Sequence, residues 1–176
     1  MNNDNIYPNC PIITRDVEVG GLTKTQLVNR MGQQSIRVNK FGEILLTDDR
    51  FTTSAHKYTM KTVELTVHNL GLPEGGTMIQ IYHRADELGL ALCPLEVGPF
   101  LRLAYLDQPE GYSNNHQHNQ APNGSITVAS EIMVEDDDFP KGFYLRRIDG
   151  ELWLRGYVCD DQHMWNPCDH FIFVNG

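Results

Sequence analysis

The segment GFYLRRIDGELWLRGYV, residues 142–158, carries the sharpest local signal in the chain. Two runs in which apolar and polar residues alternate flank Asp149 and Gly150, a pair that tolerates the positive φ angles of a two-residue type I′ turn. So short a loop fixes the hairpin register. Ile148 then lies opposite Glu151, Arg147 opposite Leu152, Arg146 opposite Trp153, Leu145 opposite Leu154, and Tyr144 opposite Arg155. Side chains alternate across a strand, so one face collects Phe143, Leu145, Leu152, Leu154 and Val158, with Arg147 interrupting it near the turn. That is a core face. The other carries Tyr144, Arg146, Ile148, Glu151, Trp153 and Arg155.

Aromatic rings mixed with guanidinium groups stack on planar or sugar ligands and are enriched at protein interfaces. Tyr144, Arg146, Trp153 and Arg155 are therefore the candidate ligand- or partner-binding residues. The structural alternative is that an arginine stem covers Trp153 on an ordinary half-wet sheet, where each cross-strand pair contributes about 0.2–1 kcal/mol.

Outward from the hairpin, the pattern from about Cys93 onward reads as β. Leu101, Leu103 and Tyr105 alternate with Arg102 and Ala104, and Ile126, Val128, Ile132 and Val134 recur at even spacing in SITVASEIMV. Both predict half-buried strands, and the final FIFV predicts a terminal one. Between them PEGYSNNHQHNQAPNG, residues 109–124, lacks an apolar period and is dense in Gly, Pro and Asn, which predicts a long flexible loop. The EDDD run, residues 135–138, reads as a turn.

The N-terminal half reads as helical with short extended pieces. Thr23 and Gln26 form a capping box, with Leu22 and Leu27 placed to staple the entry of the helix that follows. Asn39 caps a second helix carrying Phe41, Ile44 and Leu45 on one stripe. The strongest helix spans residues 77–88, where Thr77 and Gln80 repeat the box, Met78, Ile81, Tyr82, Ala85 and Leu88 share a face, and Gly89 stops the turn. Before it, Val63, Leu65 and Val67 alternate with polar residues as an extended entry, and LGLPEGG forces a turn.

The 176 residues, 40% of them hydrophobic, suffice for one core, so a single domain over residues 1–176 is expected. A net charge of −9 repels a phosphate backbone, because general nucleic-acid affinity comes from Lys and Arg displacing counterions. No stretch approaches the roughly 20 apolar residues that cross a bilayer. The opening MNNDNIYPNC lacks the basic and apolar regions of a signal peptide, which predicts a cytoplasmic protein. Four cysteines are too few to frame a chain this long and are expected as thiols.

Cys159, His163, Cys168 and His170 bring together two thiols and two imidazoles, a ligand set suited to zinc, at a spacing that matches no established pattern. They are the candidate metal ligands, and a zinc-binding domain or metal-dependent enzyme built on them is the alternative to a binding module. His116 and His118 form a separate pair in the Asn-rich loop. Cys93, in the apolar run LALCP, reads as a buried inert thiol. GGLTKT at Gly20 lacks the spaced glycines of a phosphate loop. Paired carboxylates such as Asp160 with Asp161, or Asp136 with Asp138, lack the glycine of a calcium loop and read as solvated turns.

The stretches DDRFTTS, ELGLALCPLEVGPFLRLAYLDQ, NGSITVASE and FPKGFYLRRIDGELWLRGY resemble a family of small, uncharacterised bacterial single-domain proteins, some of which carry a helicase label. The resemblance implies a single bacterial domain and points to no catalytic residue. A motor needs a nucleotide-binding loop and paired recombination-type cores, and the sequence shows neither. The expected architecture is α+β, with short N-terminal helices on one side of a mainly antiparallel sheet supplied mainly by the C-terminal half; a small β-barrel with added helices is the alternative. The expected function is non-catalytic binding of a protein partner or planar ligand through the Tyr144–Trp153 face, which in a homodimer would meet its own copy.

Overall fold

The computed structural model of the chain describes residues 5–111, 121–122 and 124–176. In chain order the described residues form β1 (Ile13–Val19), α1 (Lys24–Gln33), β2 (Arg37–Val38), α2 (Lys40–Thr47), β3 (Tyr58–Thr66), α3 (Met78–Glu87), β4 (Leu90–Ala91), α4 (Val97–Ala104), β5 (Ile126–Val128), β6 (Gly142–Ile148), β7 (Glu151–Tyr157) and β8 (His170–Asn175). The fold is mixed α and β. Most of the sequence 109–124 expected as a loop, including His116 and His118, lies outside the described residues.

The strands make one sheet in the order β1-β3-β8-β5-β6-β7-β2, with β4 also paired to β8, and the sheet curls into a half-barrel. It is mixed rather than mainly antiparallel: β5 runs parallel to β8, and β2 parallel to β7. Nor does the C-terminal half supply it alone, since β1 to β4 come from the first 91 residues. The reason lies in β8. Phe171 and Phe173 are buried on one side and Ile172 on the other, so this last strand needs cover on both faces and neighbours on both edges. It takes β3 on one edge and β5 and β4 on the other.

Helices cover both faces, not one. Leu27 and Met31 of α1, Leu45 and Leu46 of α2, and Val97, Phe100 and Leu101 of α4 pack with Ile126, Phe143, Leu145, Leu154 and Ile172 in one core cluster. Met78, Ile81 and Ala85 of α3 pack with Val63, Leu65, Phe171, Phe173 and Trp165 in the other. Both capping boxes form as expected, at Thr23 with Gln26 and at Thr77 with Gln80, and the Asn39 side chain accepts from Gly42 N. Gly89, at φ 81°, follows α3.

The strand expected over Leu101, Leu103 and Tyr105 is instead α4, which opens with Val97, Gly98 and Pro99 in its first turn. Every residue from Val97 to Arg102 is buried, so these first six residues show no wet face, and the short apolar run imitates a strand. The strand expected to continue from Ile126 to Val134 stops at Val128. Lys141 reaches back to the carbonyls of Val134 and Asp136 at 3.2 and 2.8 Å, and the backbone of Asp136 and Phe139 closes the expected acidic turn.

Candidate functional site

The hairpin adopts the expected register at all five expected pairs and continues it through Phe143–Gly156 and Gly142–Tyr157, with Asp149 at φ 53° and Gly150 at φ 76° in the turn. Its inner face is core: Phe143, Leu145 and Leu154 are fully enclosed. Val158, expected on that face, lies past the end of β7 and is 37% exposed. Behind the hairpin, Arg102 is wholly buried and ties α4 to it, donating to the Gln108 side chain at 2.6 Å, to the Trp153 carbonyl at 3.3 Å and to the carbonyl of Tyr105. Burial lowers this guanidinium to about 10, so it stays charged among carbonyl dipoles.

On the outer face the rings are already partnered. The Arg155 guanidinium lies 5.0 Å from the centroid of Trp153 and 5.9 Å from that of Tyr144, and Arg37 of β2 lies 5.9 Å from Trp153. Trp153, Arg146 and Arg155 are half-buried and Tyr144 is buried. The Nε atoms of Arg146 and Arg155 and the Trp153 indole nitrogen are enclosed without a partner among the described residues. Burial also lowers the Arg146 pKa. These guanidinium groups occupy the space over the rings that a planar ligand would otherwise use.

Strand alternation carries this face onward, from Trp153 and Arg155 to Tyr157, and there it opens into a pocket of about 550 Å³. Tyr144, Tyr157, Trp165 and His163 wall it, with Thr127 and Cys159 also lining it. Asp137, Asp160 and Gln162 complete its polar side. The rings meet at steep angles: Tyr157 and Trp165 are 5.6 Å apart at 87°, His163 and Trp165 5.1 Å apart at 88°, and Tyr144 and Tyr157 6.3 Å apart at 54°.

The segment preceding α3 places Trp165. Gly76 and Trp165 exchange backbone hydrogen bonds, at 3.2 and 2.8 Å. Gly75 sits at φ 82°, where a Cβ would stand 2.1 Å from the Trp165 carbonyl oxygen, so both the angle and the approach require glycine. Trp165 then packs edge-on against Phe171 at 4.9 Å. Tyr157 and Trp165 were not among the residues singled out from the sequence; alternation along β7 points to Tyr157, whereas Trp165 reaches the site through this long-range clamp.

The four candidate metal ligands are divided. Cys159 and His163 both line the pocket, Cys168 is exposed, and His170 points to the buried carboxylate of Glu64 at 3.0 Å. Among the described residues no group of three or more His, Cys, Asp or Glu side chains is arranged to hold a metal ion. Arg15 contacts the other Glu64 oxygen at 2.6 Å. Burial pushes the Glu64 carboxyl up, yet the hydrogen bonds from His170 and Arg15 outweigh it and hold the pKa below its ordinary value. The same bond raises His170, against its partial burial.

The thiols are poor nucleophiles. Burial, with Asp160, Asp161 and Asp137 adding to it against the opposing Lys141, pushes Cys159 up to about 11. Burial pushes Cys93 up to about 12. Both stay protonated at neutral pH. Glu96 is likewise committed, accepting from Ser54 N, Ser54 Oγ and Tyr58 Oη at 2.6–2.8 Å. Among the described residues no helix is long and apolar enough to cross a membrane. No protein-family model matches the chain, and neither a curated protein nor a solved structure matches it.

Proposed function

We propose that the chain is a non-catalytic binding module whose recognition site is the ring-walled pocket at the end of the β6–β7 hairpin. The sequence assigned binding to Tyr144, Arg146, Trp153 and Arg155; in this reading Tyr144 is shared with the pocket, and Arg155 braces the Tyr144 and Trp153 rings. The observation that carries it is the cavity itself, about 550 Å³, within the size range of small-molecule sites and walled by rings with convergent polar groups. The protonated thiols and the engaged Glu64 and Glu96 carboxylates favour binding over chemistry.

A fragment library screened by NMR provides the test, with the two tryptophan indole N–H signals as reporters. Fragments that move Trp165 and leave Trp153 unchanged are expected. Hits that move Trp153 alone return recognition to the open sheet face, and a library that moves neither removes the binding reading.

A further inference from the structure

Walls at right angles do more than enclose a flat ligand. The face of an aromatic ring is the negative pole of its quadrupole, and in an edge-to-face pair the ring that contributes its edge keeps both faces clear of its partner. Tyr157 and His163 each meet Trp165 within 3° of perpendicular. Among the described residues the lining holds two carboxylates, Asp137 and Asp160, and no Lys or Arg. The nearby Lys141 ammonium is turned away, onto the carbonyls of Val134 and Asp136.

The molecule already uses ring faces in this way next door, where Arg155 and Arg37 lie over Trp153 and Arg155 over Tyr144. Among the described residues no Lys or Arg lies over Tyr157 or Trp165. From this geometry we infer that the pocket takes an organic cation, an alkylammonium or guanidinium group carried on a small apolar body. The cationic group would lie against the Tyr157 and Trp165 rings with Asp137 and Asp160 nearby, and the apolar body would fill the rest of the cavity. This rests on the pocket being a binding site and adds the sign of the ligand's charge.

Calorimetric titration of the full chain with acetylcholine and with 3,3-dimethylbutyl acetate, its uncharged isostere, separates charge from shape. Acetylcholine is expected to bind about 10-fold more tightly than the isostere, a gap that narrows as salt rises. Asp137→Asn and Asp160→Asn, at turns where loss of charge leaves the fold intact, are each expected to weaken acetylcholine about 3-fold and leave the isostere unchanged. Equal binding of the two esters, or loss of both in the Asn variants, overturns the cation assignment. Failure of both esters while fragments still move the Trp165 signal overturns it too, and leaves the pocket as a site for a neutral or anionic ligand. If the fragments are also silent, the binding reading falls with it.

Discussion

The two faces of the β6–β7 hairpin share one backbone, one turn and one register, yet they do different work. Inward, Phe143, Leu145 and Leu154 are sealed beneath α4 and α2, where their removal leaves a cavity. Outward, Tyr144, Arg146, Trp153 and Arg155 form a half-wet lattice of rings and guanidinium groups leading to a pocket. What separates them is what covers each face. Helices bury the first, whereas among the described residues Arg155 of the hairpin and Arg37 lie over the rings of the second.

The contrast breaks first on stability. Leu154→Ala should cost about 3 kcal/mol, since its buried methyl groups leave a void the packed helices cannot close. Trp153→Ala and Arg146→Ala should each cost about 1 kcal/mol, because both side chains are half in water; the first loses the ring beneath Arg155 and the second its aliphatic stem on the sheet, and neither empties the core. Denaturant titration of the three variants measures the gap. If either outer substitution matches Leu154→Ala, the outer face is core and the division fails.

A smaller effect concerns the ionic cluster at the far end of the sheet. His170, raised by its bond to Glu64, contributes stability that is present below the ordinary imidazole value and is lost as pH rises through its own higher pKa. Glu64, held low, contributes stability that is present above the ordinary carboxylate value and is lost as pH falls through its lower one. Thermal stability should therefore be broadest between about pH 5 and 6, with His170→Gln flattening the alkaline side. Because His170 is largely exposed, its share should be below about 1 kcal/mol. An unchanged alkaline limb in His170→Gln would assign that slope to other groups. The smallest effect tests the metal alternative: a chelator should leave melting unchanged, and a loss of stability would place a bound metal at the Cys159–His163 end.

How much of this could be read from sequence follows from range. The hairpin register was legible because a two-residue turn converts sequence distance directly into pairing, although Val158, expected on the core face, lies beyond the end of β7. The capped helices α1 and α3 were legible because each cap acts within four residues. α4 was not, because a helix buried all round loses the period that distinguishes it from a strand. β1 had a partial signal, with Val17 and Val19 on alternate positions, but Arg15 stands where the next apolar residue belongs, held there by Glu64 across the sheet. The same distance limit hid half of the site. Tyr144 was found by alternation, whereas Trp165 needs Gly75 and Gly76, about 90 residues earlier, to bring it beside Tyr157.

The central claim, that the ring-walled cavity is a place for a ligand, is tested most directly by the two unequal thiols near it. Cys159 lines the cavity and Cys168 is exposed outside it, so maleimide labelling followed by mass spectrometry reads both in one sample. Saturating ligand should slow labelling of Cys159 at least several-fold and leave Cys168 at its original rate; equal rates at Cys159 with and without ligand would contradict the account.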